Sequence, residues 1–425
     1  MKKSIIVVLI CVLSCVFLSF SACERSERPS DNSDSFDSLY PKPSKCVYAD
    51  GKTLYDDTDS PISLRGVNVG NWLVPEGWMG VIDIDGQNDD VDGEKLTYKK
   101  MMTALKNNEN HFSDEQISSL LDVYYSNWFT ELDVKFIKES GFNCIRLPFG
   151  YFNVADENGD ILPDGFKWID KCLEWCQKYG IYCLLDLHGA YGSQNKEHHS
   201  GDDTQCVLFE DSECQEKTAK LWRKIAERYK DNTVVLGYDL LNEPTGNSGK
   251  TQEPQHRVHD MLYKAIREVD GEHLIFIESC WDFSDFPFLA ETEWKNVAFE
   301  MHMYDFSDSS SQYLLYHMFM YNLQEQLKEV PMFVGEFWLG VQDLAKTVGT
   351  FESNGFGWTS WTYKTNRCGA WGLKNLDVDR VNLSHASYDE IVRVFEQTTS
   401  DNAILSAEYG ELIELLSEID REQEE

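Results

Sequence analysis

Residues 234–244 read VVLGYDLLNEP, an apolar run of strand length that closes on an amide, a carboxylic acid and a proline. Seven other runs of this kind accompany it. SLRGVNVG begins at Ser63, FNCIRLPF at Phe142, IYCLLDLH at Ile181, HLIFIES at His273, VAFEMHMY at Val297, PMFVGEFW at Pro331 and GWTSWTYK at Gly357. Between them lie stretches such as 118–138, 166–178, 216–229 and 258–269, with apolar residues at the three- and four-residue intervals of an amphipathic helix. Strand alternating with helix favours a parallel sheet over a sandwich. Eight such units close on themselves, so the expected fold class is α/β, a (β/α)₈ TIM barrel forming a single catalytic domain.

The barrel is expected over residues 46–398. Ahead of it, Met1, Lys2 and Lys3 precede an apolar run over 5–20 and then Ser21, Ala22 and Cys23, the order of a bacterial secretory signal, expected over 1–23. Small residues before Cys23 match a lipoprotein cleavage site, at which the cysteine is acylated, although Phe20 stands where an aliphatic residue is usual. Ordinary cleavage nearby is the alternative. The expected location is therefore outside the cytoplasm, lipid-anchored at the outer membrane or cell surface, or else periplasmic or secreted. Residues 24–45, rich in Ser, Asp and Pro without apolar period, are expected to be a flexible tether. Residues 399–425 carry Leu405, Tyr409, Leu412, Leu416 and Ile419 at helical spacing with acids between, and are expected to form an acidic helix on the barrel exterior.

Residues 80–112 form an acidic insertion after the first strand, on the face where barrel active sites are built. Its Asn88, Asp90, Asp92 and Gly93 imitate the start of a calcium loop, but Lys99 stands where the bidentate glutamate is required. No metal and no other cofactor is expected. A net charge of -35 excludes nucleic acid and anionic membrane surfaces as partners, because a polyanion is repelled by both before contact. A neutral polysaccharide is compatible, and a monomer is expected. Of the 12 cysteines, Cys11, Cys15 and Cys23 belong to the export segment, leaving an odd number in the body. Cys144, Cys183 and Cys280 read as core residues, Cys172 and Cys176 share a helix face, and no CxxC pair suggests zinc. Cys206 and Cys214, in a polar loop of an exported chain, are a candidate disulfide, with two separate thiols as the alternative.

With 73 acidic residues, a lone glutamate says little, and position must do the discriminating. Catalytic groups of this fold project from the carboxyl ends of strands. Glu243 closes the fourth run and Glu336 the seventh, each after residues too apolar to carry an unpaired charge cheaply. Glycosidic cleavage needs two carboxyl groups across the bond, one protonating the leaving oxygen and one attacking or activating water. Strands four and seven face each other across a small barrel, which suits the short separation of a retaining enzyme. Asn242 supplies an amide for the sugar 2-hydroxyl, and Arg146, inside an apolar strand, requires a buried anionic partner.

YDLLNEP resembles the signature of family 5 glycoside hydrolases, and the resemblance extends over LRGVNVGNWLVPE, SNWFTELDVKFIKESGFNCIRLPFGYF, DLHGAYGSQN, EMHMY, VGEFW and GWTSWTYK, in the family's order over residues 63–395. The HGAYGSQN loop and the long helix before GFNCIRLPFGY are most similar to the exo-1,3-β-glucanases of fungi and their bacterial relatives. The resemblance implies Glu243 as acid/base, Glu336 as nucleophile, Arg146 as the group holding the nucleophile ionised, and His188 and Asn242 as ligands of the sugar at the cleavage point. It further implies His302 and Tyr304 beside the nucleophile and Trp361 as the platform under that sugar.

The chain departs from the fungal pattern in the stretch Asn68-Val69-Gly70-Asn71-Trp72-Leu73, where fungal exo-glucanases have NLGGWL, at Tyr191, where they have a proline, and at Lys196, Glu197, His198 and His199, which replace the family's usual residues before the Ser200-Gly201 pair. These loops border the leaving-group side, so the departures bear on linkage and on exo or endo action. His198 and His199 with Asp202 and Asp203 are read as loop polarity rather than as metal ligands. The expected function is a retaining β-glycoside hydrolase acting on β-glucan, foremost an exo-1,3-β-glucanase. An endo-β-1,4- or β-1,6-glucanase is the alternative within the same chemistry, and a non-catalytic glycan-binding lipoprotein the alternative from another class.

Overall fold

The computed structural model describes residues 42–85, 95–246, 252–279, 283, 286–287, 289–306, 310–339 and 344–424. The secretory signal, Cys23, most of the tether, Cys280 and the calcium-like residues Asn88, Asp90, Asp92 and Gly93 lie outside the described residues. All eight expected strands form. They are β1 (Arg65–Asn68), β2 (Cys144–Gly150), β3 (Tyr182–Gly189), β4 (Val235–Asp239), β5 (Leu274–Glu278), β6 (Val297–Tyr304), β7 (Met332–Trp338) and β8 (Gly357–Ser360). They pair in parallel in chain order, and β8 returns to β1 to close the barrel.

The helices outside the barrel are α1 (Tyr98–Lys106), α2 (Asp114–Trp128), α3 (Glu131–Glu139), α4 (Lys167–Tyr179), α5 (Ser212–Tyr229), α6 (Gln252–Arg267), α7 (Ser310–Leu323), α8 (Leu344–Ser353), α9 (Tyr388–Phe395) and α10 (Ala407–Glu424). The helix expected over 118–138 is two, α2 and α3. Phe129, extended and fully buried, interrupts it, and Thr130 opens α3 with its N–H donated to Asp133 Oδ2 at 2.8 Å, a cap that a continuous helix has no use for. The link from β5 to β6 also departs from the strand–helix rule, since among the described residues it holds 3₁₀ turns, at Phe283 and over Leu289–Glu291, and no α-helix. Its sequence around Phe286 and Pro287 lacks a helical period.

The apolar core fills the lower barrel with Leu64, Cys144, Leu184, Leu236, Leu274, Phe276, Ala298 and Phe333, and Val47 and Leu54 from an N-terminal hairpin join it. This leaves the polar ends of the strands to line the opposite mouth. Cys206 and Cys214 both carry thiols rather than a bridge. The Cys214 sulfur lies against Gly192, 2.7 Å from where a Cβ there would sit. In α10, Tyr409, Leu412 and Leu416 are buried, whereas Leu405 lies in the short strand Ile404–Leu405. Ile404–Leu405 pairs with Lys374–Leu376, which also pairs with Lys364–Asn366.

Candidate active site

Arg146 stands at the centre of the barrel mouth, fully buried on β2. One guanidinium serves several acceptors: Nη1 donates to Glu336 Oε1 at 2.8 Å, Nη2 to Asn242 Oδ1 at 2.9 Å and Nε to Asp239 Oδ2 at 3.0 Å. Asp186 Oδ2 at 3.1 Å and Glu300 Oε1 at 3.2 Å complete its surroundings. The buried anionic partner that an arginine in an apolar strand demands is thus present several times over.

Glu336 is aimed by a local irregularity. The β6–β7 register shifts between Val334 and Glu336, so Gly335 bulges and its carbonyl accepts from Asn68 Nδ2 at 2.8 Å and Thr359 Oγ1 at 2.5 Å. A Cβ on Gly335 would sit 1.6 Å from Glu300 Oε1; only glycine fits. Tyr304 donates its hydroxyl to Glu336 Oε2 at 2.6 Å. Across the mouth, β4 ends at Asp239, and Asn242 and Glu243 lie on the loop beyond it. Glu243 adopts φ 47, the left-handed region that a residue other than glycine enters at a cost of about 1–2 kcal/mol. It is pinned there from both sides. Its N–H donates to Glu278 Oε2 at 2.7 Å, and its carbonyl accepts from Asn195 Nδ2 at 3.0 Å.

The Glu243 carboxylate meets two imidazoles, His302 Nδ1 at 2.9 Å on Oε1 and His199 Nε2 at 3.0 Å on Oε2. One oxygen of Glu243, one of Glu336 and a ring nitrogen of His302 all lie within 4.8 Å of one another. Carboxyl groups this close suit direct attack by one of them; an inverting pair stands roughly 6.5–9.5 Å apart to admit water. His188 is held through Nδ1 by Asp186 Oδ2 at 2.7 Å, and the Trp361 ring lies parallel to it, 5.6 Å away at 8°. All eight residues singled out from the sequence therefore converge on one mouth.

Six acidic groups share this space with a single arginine, so they cannot all be ionised. Burial pushes Asp186 and Asp239 up to about 7 against the pull of Arg146. Glu278 is driven well above the usual carboxylate range by burial and by Glu300, and Glu300 likewise by burial and by Asp239. Burial raises Glu336 to about 8, while Arg146 and the Tyr304 hydroxyl pull it down. Those two donors fit the carboxylate and not the acid, so Arg146 and Tyr304 hold Glu336 as an anion, while burial favours the protonated form of Glu278 and Glu300. Glu243 is held well below its ordinary range, because His199 and then His302 outweigh its burial. His302 itself is pushed down to about 3 by burial and so is neutral.

Sequence reasoning missed Asp186, Asp239, Glu278, Glu300, Glu76 and His199. Four of these are acids inside apolar strands, and the argument that singled out Arg146 would have found them. His198 and His199, assigned to loop polarity, in fact face the site: His198 Nε2 meets Glu76 Oε2 at 3.0 Å while His199 meets Glu243. Asp202 and Asp203 are neutralised by Lys99 and Lys100 of α1, each at 2.7 Å. The acidic insertion thereby packs its helix on the loop that carries both histidines.

A barrel with two facing carboxyl groups at its mouth has the architecture of a glycosidase. The family model described as cellulase (glycosyl hydrolase family 5) matches residues 96–367, and the chain belongs to that family. It is 34% identical over 259 residues to a β-xylosidase of Phanerodontia chrysosporium, covering 60% of this chain and 51% of the relative. It is 26% identical over 254 residues to a probable glucan 1,3-β-glucosidase A of Aspergillus fumigatus, covering 58% and 56%. The chain thus spans about half the length of these curated relatives. Among solved structures, rutinosidase from Aspergillus niger superposes with a TM-score of 0.57 at 15% identity, over 81% of this chain and 98% of that one, a likeness of fold.

Proposed function

We propose that this chain hydrolyses β-glucan with retention of anomeric configuration, Glu336 acting as nucleophile and Glu243 as acid/base. The observation that carries the reading is the close pair itself, with Glu336 bound by Arg146 and Tyr304 and Glu243 bound by two imidazoles. In the first half-reaction Glu243 protonates the glycosidic oxygen as Glu336 attacks C1; in the second, water cleaves the glycosyl ester with Glu243 as base. Asn242, ordered by Arg146, is placed for the sugar 2-hydroxyl, and His188 and Trp361 for the ring. A retained pair with these supports argues against the non-catalytic lipoprotein.

For the substrate we propose exo action on β-1,3-glucan. The name of the Aspergillus fumigatus relative supports it, as does the packing of α1 on the loop at 198–203, where Lys99 N–H also donates to Gly201 O at 3.1 Å; a wall at this position would close the cleft into a pocket. The test is a time course on β-1,3-, β-1,4- and β-1,6-glucans with the anomeric proton of the first product followed by NMR. Glucose as first product from the β-1,3 polymer, released as the β-anomer, is expected. Laminari-oligosaccharides ahead of glucose, or turnover of β-1,4-glucan alone, would overturn the substrate; a first-formed α-anomer would overturn the mechanism.

Export with lipid anchorage at Cys23 completes the proposal, motivated by the small residues before that cysteine. The wild-type chain should fractionate with membranes and Cys23→Ala should not. Soluble wild-type protein would remove the anchor.

A further inference from the structure

Three sulfurs away from the mouth meet in the packing between α4 and β3. Cys172 and Cys176 stand four residues apart on α4, which puts both on one face of that helix. Cys183 is the second residue of β3. Its neighbours Tyr182 and Leu184 join the core inside the barrel, so Cys183 points the other way, out toward the helices. All three residues are fully buried, and their sulfurs lie within 4.8 Å of one another. Because β3 starts beside this cluster and carries Asp186 and His188 toward its other end, the cluster sits at the end of the barrel opposite the active-site mouth.

We propose that Cys172, Cys176 and Cys183 form a trigonal site for one soft monovalent cation, copper(I). Thiolate sulfur selects soft ions. Three sulfurs about 2.3 Å from a shared ion stand about 4 Å apart, a spacing that this cluster reaches by small side-chain rotations. Zinc(II) suits the site less well, because it takes four ligands. Among the described residues no fourth His, Cys, Asp or Glu joins the group, and full burial leaves water no place as the fourth. Each sulfur that binds as a thiolate gives its proton to solvent, and the charge of the ion offsets the charge left in the apolar surroundings.

The hydrogen bonds within the cluster suit a central cation. The Cys176 and Cys183 thiols pull Cys172 down to about 5 against its burial, while burial raises Cys176. Cys172 is thus the first thiolate, and an ion in the middle takes the place of the two thiol protons directed at it. A disulfide is the competing use of these sulfurs. Cys172 and Cys176 are a poor pair for one, since Cβ atoms four residues apart on a helix stand about 5–6 Å apart and a disulfide needs about 3.5–4.5 Å. Any bridge must therefore use Cys183 and leave one thiol out, whereas a metal engages all three. The spacing along the chain hides the site: the cysteines are four and then seven positions apart, with no CxxC pair.

The experiment offers copper(I), anaerobically and as its complex with a competing chelator, to the full chain held a few degrees below its melting point, where local opening of α4 admits the ion. Wild type should take up an ion whose X-ray absorption shows three sulfur ligands, and its Tm should rise by at least about 3 °C. Cys172→Ser, Cys176→Ser and Cys183→Ser, each close in size to the native residue, should weaken uptake at least about 100-fold and abolish the rise in Tm. Glycoside turnover without copper should stay unchanged in all three, and Cys206→Ser should take up copper as wild type does. Copper refused by wild type, held by two sulfurs or by nitrogen, or bound equally by the three serine variants would overturn the site. So would a Cys183 disulfide that forms in protein purified without reductant and persists in the presence of copper(I). The sulfur count needs no variant, so it decides the matter even if a serine at a buried position unfolds the chain.

Discussion

Glu336→Gln should reduce kcat by at least about 10³-fold while the protein melts within a few degrees of wild type. An amide cannot form the glycosyl ester, nor does it stabilise positive charge at C1. The substitution nevertheless fits the site. The amide oxygen can accept from Arg146 in place of Oε1, and the NH₂ group can donate to the Tyr304 hydroxyl, which turns from donor to acceptor. The Gly335 bulge and its bonds to Asn68 and Thr359 are untouched. Substrate binding should survive, so equilibrium binding to the glucan alongside turnover distinguishes loss of chemistry from loss of the site. Activity within about tenfold of wild type would end the nucleophile assignment.

Glu243→Ala should lose about 10²–10⁴-fold on glucan, the usual worth of positioned general acid catalysis, and far less on a dinitrophenyl glycoside. With that substrate the second half-reaction becomes slow, since water has lost its base, and a small anion such as azide, which needs none, should restore turnover as a β-glycosyl azide. The cavity left by the carboxyl group is flanked by His199 and His302, which favours entry of an anion. Equal losses on both substrates, or an α-glycosyl azide, would remove Glu243 from the acid/base role or overturn retention.

Much of this was legible in the chain. Each barrel strand is an apolar run bounded by polar residues, and burial on both faces imposes that pattern locally. Helix boundaries were less legible: the break at Phe129 depends on where an aromatic ring is buried and on the Thr130–Asp133 cap, features that a periodicity of apolar residues runs straight through. Cys206 and Cys214 likewise stay thiols, one of them lying against Gly192, something their separation along the sequence says nothing about.

By itself the sequence determined the eight-stranded barrel, the family, and Glu243 and Glu336 as the acids worth weighing, because apolar periodicity and a charged group at the end of a buried strand are properties of neighbouring residues. Only the tertiary structure decided who partners them. Glu300 meets Arg146 from another strand, Glu278 fixes the backbone of Glu243, and His199 reaches the acid from a loop 44 positions away. Protonation in a buried cluster depends on the sum of charges within a few ångströms, whatever their order in the chain. A histidine that looked like loop polarity thereby became the nearest rim-side neighbour of the carboxyl group that does the chemistry we propose.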